Sequence, residues 1–331
     1  MPTPTPTTIH DLLGNTWLVL LVATAGIMAF LTVNTLFLVW LERKVSARMQ
    51  NRLGPTEVGP AGLVQTIADM LKLISKQLIT PRLADKPIYH LAPWLIFLPI
   101  LAAVSLFPFS ESYVLHDLNV GLILVFAFAG LTILAIFMAG WGSNNKYALL
   151  GAMRSVAQNI AYEIPLMLAA LAVTMHAQTM SLRGIVEAQA DLPYIFVQPL
   201  AFVIYFISGL AETNRAPFDI PEAESELIAG FHTEYSGMRF AMFFFAEYSN
   251  MFIVCMVATT LFLGGWHGPF GLPGPVWFFL KVYGLILLMM WFRWTFPRLR
   301  FDQLMSFAWK ILIPLALFNL LLTAFIMKVV A

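Results

Sequence analysis

Seven carboxyl groups, Glu212, Asp219, Glu222, Glu224, Glu226, Glu234 and Glu247, crowd one stretch of a 331-residue chain that holds only 18 acids in all. Glu222, Glu224 and Glu226 stand so close in sequence that, shut away from water, they would share protons as a group. Glu163 is isolated in the apolar run "SVAQNIAYEIPLMLAALAV", and Glu247 is set in "RFAMFFFAEYSNMFIVCMV". An ionised side chain in such surroundings costs about 2.5 to 3.5 kcal/mol on insertion scales, so it faces a protein interior or a wet cavity. The chemistry these positions suit is uptake and release of protons. The plainer readings are a solvated loop for the triplet, and ion pairs with Arg154 or Arg239 for Glu163 and Glu247.

The elements that must hold these acids follow from composition. Hydrophobic residues make up 60% of the chain and charged residues 11%, with a mean hydropathy of +0.79, against roughly a quarter charged in soluble domains. The class is an all-α integral membrane protein. A net charge of +1 excludes a basic surface for nucleic acid. A single cysteine, Cys255, allows neither a disulfide framework nor a cysteine-ligated iron–sulfur cluster.

About eight stretches are long and apolar enough to cross about 30 Å of hydrocarbon. They lie near 16–40, 91–109, 119–141, 151–177, 194–211, 239–263, 274–296 and 307–330, in one polytopic domain over 1–331. Lys and Arg stay on the inward side. The 42–90 connection carries Arg43, Lys44, Arg48, Arg52, Lys72, Lys76, Arg82 and Lys86, and the other odd-numbered connections add Lys146, Arg215, Arg298 and Arg300. Both termini are therefore expected to face outward, with the 42–90 loop and the acid-rich 212–238 loop facing inward. Pro217 and Pro221 break any helix continuing from the fifth span, so the acid loop is expected to fold back.

Within 42–90, "GPAGLVQTIADMLKLISKQ" sets Leu63, Val64, Ile67, Met70, Leu71, Ile74 and Leu78 at helical spacing opposite Gln65, Asp69, Lys72 and Lys76. This amphipathic helix lies on the membrane surface or forms a lid whose polar face lines a cavity. Ahead of it, "LERKVSARMQNRLGPTEVGP" supplies Arg43, Arg48 and Arg52, suited to lipid phosphates, and a stiff Gly/Pro turn.

Four long segments, "ERKVSARMQNRLGPTEVGPAGLVQTIADMLKL", "AGWGSNNKYALLGAMRSVAQNIAYE", "AETNRAPFDIPEAESELIAGFHTEYSG" and "FFFAEY", resemble in order and spacing the membrane subunit 1 family of respiratory complex I, the proton-translocating NADH:quinone oxidoreductase. The resemblance covers nearly the whole chain. It implies a translocase component at the junction of the membrane and peripheral arms that helps bind quinone and links its reduction to proton pumping. By position, Glu42, Arg43, Arg52, Asp69, Arg215, Asp219, Glu222, Glu224 and Glu226 would line the quinone chamber or its polar exit, and Glu163, Glu212, Glu234 and Glu247 would continue a proton path. Quinone would be the substrate, and FMN, NADH and iron–sulfur clusters would reside in partner subunits of both arms. No metal and no covalent cofactor is expected on this chain. A bacterial inner membrane is the expected location.

Two positions depart from the family pattern: Gln77 stands where the family commonly has Glu, and Thr56 where it commonly has Asn. Related energy-converting hydrogenases share parts of the motifs, and a stand-alone ion symporter or a docking scaffold are rival readings of the same acids. The sequence does not separate ubiquinone from menaquinone.

Overall fold

The computed structural model describes residues 16–111, 117–221, 227–269 and 271–330. Glu222, Glu224 and Glu226 lie outside the described residues. Among those described, every regular element is a helix. The long ones are α1 (Thr16–Met49), α3 (Lys86–Ser105), α4 (Gly121–Gly142), α5 (Lys146–Ala177), α9 (Gly237–Phe262) and α10 (Gly274–Thr295). Between them lie α2 (Gln65–Ser75), α6 (Leu182–Glu187), α7 (Tyr194–Val197) and α8 (Pro199–Glu212). The chain closes with α11 (Phe301–Phe307), a π-helical turn at Ala308–Leu312 and α12 (Ile313–Val330). Seven helices are long and apolar enough to cross a membrane, the seventh running from Phe301 to Val329 through the π turn.

Several helices outrun their expected limits. α1 continues nine residues beyond the expected end at 40, to Met49, so Glu42 and Arg43 stand on rigid helix rather than in a loop. The expected fifth span is instead two pieces. Pro199 has no N–H to give and disfavours helical geometry at the residue before it, and Gln198 sits at φ −128°, ψ 54° between α7 and α8. The 14 residues of α8 rise about 21 Å, short of a full crossing.

Side chains tie both ends of α8 to neighbouring helices. Gln198 donates from Nε2 to Thr323 Oγ1 at 2.9 Å on α12. At the other end of α8, Gln158 Nε2 donates to the carbonyls of Ala211 and Phe218, both at 2.8 Å. Because Gln158 lies about 18 Å along α5 from its start, α8 ends against the interior of that helix. Glu212, the last residue of α8, is thereby held within the protein.

α9 is the hub. Every residue from Met251 to Phe262 is buried, and the helix packs on α1, α2, α3, α8 and α10. Close approach elsewhere depends on glycine. A methyl at Gly140 would come within 2.3 Å of Ala152 Cβ, and one at Gly151 within 2.8 Å of Gly230 Cα, so α4, α5 and the turn at Gly230–His232 meet backbone to backbone.

α2 forms the amphipathic segment. Ile67, Leu71 and Ile74 are exposed, while Asp69 turns inward and accepts from Arg43 Nη1 at 2.6 Å. The helix covers an internal space, toward which Met70, Leu73 and Ile74 turn with Asp69, while Lys72 and Lys76 stay exposed.

A lysine inside a span has a structural explanation. Lys281 Nζ on α10 donates to the carbonyls of Leu263 at 2.6 Å, Gly265 at 3.0 Å and His267 at 2.5 Å. These are acceptors left open where α9 ends, at the negative pole of its dipole. Lys281→Met strands them, at about 1 to 3 kcal/mol for each left unsatisfied. The expected result is a fall of about 3 °C or more in the melting temperature of the detergent-solubilised protein, read by intrinsic fluorescence, with Lys281→Arg recovering part of it.

Candidate functional site

The site is built on α9 and the fold-back after α8. Thr213 closes α8, and Asn214 takes a left-handed φ of 52°, which asparagine tolerates better than most residues. That reversal swings Arg215 into the interior, where it is 3% exposed. Arg215 Nη1 donates to both carboxylate oxygens of Glu42, at 2.9 and 2.8 Å. Its Nη2 lies 3.1 Å from Glu247 Oε1, in ion-pair range though off the hydrogen-bonding direction. The guanidinium carbon sits 4.4 Å from the ring centre of Tyr248. Arg293, near the end of α10, also pairs with Glu42.

Two acids and two arginines thus meet in one buried network spanning α1, α9, α10 and the fold-back. Burial works against the charge of Arg215, but Glu247 and Glu42 outweigh it and hold the guanidinium above its usual range. Glu247 therefore pairs with Arg215, not with Arg239, whose Nη1 donates to Thr80 Oγ1 at 2.9 Å.

On one side of this network lies a polar cavity of about 160 Å³. Its lining includes Glu212, Glu247, His232, Asn159, Asn214 and Asn250, closed off by phenylalanines. Asn159 Oδ1 is buried without a hydrogen-bond partner among the described residues. A space of this size with convergent polar groups can hold several waters. It brings together Glu212 and Glu247, two of the four acids expected to form a path.

A second, apolar cavity of about 270 Å³ lies between α1, α2, α3 and α9. Met28, Leu36, Val39, Met70, Trp94 and Phe97 line its walls, and the Arg43–Asp69 ion pair stands among them as its polar element. The shape and chemistry suit an extended apolar molecule with few polar groups.

The remaining expected residues are placed elsewhere. Glu163 lines a separate, mostly apolar cavity of about 390 Å³ with Phe126, Gly130 and Met167, and its charge acts on Glu212. Glu234 accepts from Asn145 Nδ2 at 2.6 Å, at the N-terminus of α5. Arg52 donates from Nε to Gln50 at 2.7 Å and is exposed. Asp219 is partly buried beside the network. Its carbonyl accepts from Arg298, and its Oδ1 has no hydrogen-bond partner among the described residues.

Sequence reasoning passed over His232, Arg293, Tyr248 and Asn159. A histidine two positions from Glu234 in the acid-rich loop, and an arginine inside the last turn of an apolar span, were the available signals.

Two groups in the fold-back give opposite pH dependences. Burial pushes the Asp219 carboxyl up to about 6, against the pull of Arg298 and Arg293; burial pushes the His232 imidazole down to about 4. An acid with a raised value destabilises the fold as pH rises from about 4 to 6, whereas a histidine with a lowered value destabilises it as pH falls from about 6.5 to 4. The two nearly cancel in that window. Asp219→Asn is expected to expose a loss of stability on acidification, and His232→Gln the reverse slope, in thermal melts across pH 4 to 7. Arg215→Met, which leaves Glu247 without its buried partner and Glu42 with Arg293 alone, is expected to cost about 3 to 5 kcal/mol in the same melts.

The sequence profile described as NADH dehydrogenase matches residues 22–324. The H subunit of NADH-quinone oxidoreductase from Carboxydothermus hydrogenoformans is 50% identical over 309 residues, covering 92% of this chain and 88% of the relative. The protein of that name from Geobacillus kaustophilus is 51% identical over 304 residues, covering 91% and 90%, and that from Dehalococcoides mccartyi is 49% identical over 310 residues, covering 93% and 87%. With the match running through the buried network, both cavities and the lid, the chain belongs to the family of NADH-quinone oxidoreductase H subunits.

Proposed function

We propose that this chain is the quinone-chamber and coupling component of a proton-translocating NADH:quinone oxidoreductase in a bacterial inner membrane. The observation that carries this reading is an acid-lined cavity that reaches Glu247 of the buried Glu42–Arg215–Glu247 network and meets, at Phe244, an apolar cavity beneath α2. The apolar cavity takes the isoprenoid tail of quinone, with the Arg43–Asp69 pair at its polar element, and the lid α2 bounds it. The headgroup reaches on toward a partner protein. A chain with one cysteine cannot hold a cysteine-ligated cluster, so electrons come from partners carrying FMN and iron–sulfur clusters.

What this chain's own residues supply is position and charge. Reduction of quinone by two electrons, followed by uptake of two protons, changes the field at Arg43, Asp69 and the Arg215 network. A guanidinium shared by two carboxylates transmits such a change, because loosening its hold on Glu247 alters that acid's readiness to take a proton. Glu247 and Glu212 face the same cavity, and Glu163 acts on Glu212 from the far side, which gives an ordered set of proton positions leading away from quinone. Glu222, Glu224 and Glu226, with Asp219, would store protons at the inward end, and Glu234 would adjoin the path at the head of α5. Membrane-arm partners receive the change and pump.

Glu247→Gln and Glu163→Gln are expected to lower coupled NADH:quinone reductase activity about tenfold in assembled enzyme, the equivalent of about 1.4 kcal/mol; full activity in both would remove these acids from the relay. Ala241→Phe, which places a ring in the apolar cavity, is expected to raise KM for a short-chain quinone about tenfold with a smaller change in kcat. Reconstituted alone in liposomes, the chain is expected to move no ions, whereas a symporter would.

A further inference from the structure

The two cavities share one wall. Among the described residues, Phe244 alone lines both the apolar cavity beneath α2 and the acid cavity. It belongs to a column of rings on one face of α9, Phe240, Phe244 and Tyr248, spaced four apart so that they stand one above another. The Phe240 and Phe244 centroids are 6.2 Å apart and nearly parallel; those of Phe244 and Tyr248 are 4.9 Å apart. Tyr248 in turn lies against Arg215, and Phe245 closes the apolar side against Phe97 at 5.2 Å. The column therefore ends on the buried network, with Glu247 beside it on the acid-cavity side.

An apolar constriction between two water-accessible spaces breaks a chain of waters by drying. A proton moves along such a chain only where it is continuous. Charge, by contrast, is felt through a ring, and more strongly where water is excluded. Resting on the assignment of the apolar cavity to quinone and the polar one to protons, we infer that Phe244 is an insulating partition. It keeps water around Glu212 and Glu247 from entering the apolar cavity and running along the tail to the headgroup, so that only the field passes. The protons consumed by quinone and the protons that drive pumping are then separate populations. Without the ring, water fills the way between them, a proton meant for the acid path can fall back onto reduced quinone, and the stroke is lost.

The test uses the whole purified enzyme in liposomes, with NADH oxidation followed by absorbance and proton uptake by a pH-sensitive dye. The readout is protons moved per NADH oxidised, which does not depend on the turnover rate. Phe244→Ala is expected to lower this ratio about twofold or more, Phe244→Leu to lower it less, and Phe244→Trp to keep it near the wild-type value. Retention of all partner proteins on purification establishes assembly; if the alanine variant does not assemble, the leucine variant carries the test. A wild-type ratio in an assembled Ala or Leu variant overturns the partition. If the ratio is unchanged while Ala241→Phe still raises the quinone KM, the partition fails and the chamber assignment survives. If Ala241→Phe leaves KM unmoved, the chamber assignment fails and takes the partition with it.

Discussion

A cation buried at 3% exposure must be answered in place, and Arg215 dictates much of what surrounds it. A guanidinium removed from water carries a penalty of several kcal/mol that only paired anions and good geometry offset. Glu42 answers with both oxygens, Glu247 with one, and the face of Tyr248 covers the flat side. Those partners come from α1 and α9, and Arg293 ties in α10. The relative placement of three long helices is therefore specified by polar geometry where lipid-facing packing alone gives little discrimination. Apolar membrane helices slide past one another at small cost. A fork of charge fixes their register.

α9 divides the interior. It turns Glu247 and Asn250 toward the acid cavity and Ala241, Met242 and Phe245 toward the apolar one. The lid belongs to the same logic. Asp69 turns inward because Arg43, carried one residue beyond Glu42 on an uninterrupted α1, is there to meet it. A helix that leaves Ile67 and Leu71 exposed while Met70, Leu73 and Asp69 line the cavity is shaped for contact with lipid or partner proteins on one flank and serves the interior with the other.

How much of this was legible in the sequence depends on the range of the physics involved. Spans were readable because hydrophobic length is a local property, and α4 or α10 could be bounded within a few residues. The division of the fifth span was signalled by Pro199 but hidden by the apolar residues on both sides. Glu163 and Glu247 announced themselves by cost alone. Which partner each would take was not readable, since Arg239 is nearer to Glu247 in sequence than Arg215 is, yet it is turned toward Thr80. Arg293 escaped notice because an arginine in the last turn of a span is ordinary at a membrane boundary, and only the fold brings it to Glu42. His232 lay inside a quoted motif, but its burial depends on Phe231 and Phe240, whose rings stand against it at 5.0 and 5.3 Å.

The shortness of α8 has an electrical meaning. Its last residue, Glu212, is held level with the interior of α5 by the bond from Gln158 to Ala211, well inside the thickness across which a membrane potential falls. A full crossing of that potential is worth about 2.3 kcal/mol per unit charge at 100 mV, and a group part-way across feels its share. A proton added to Glu212 would therefore cross only part of that field.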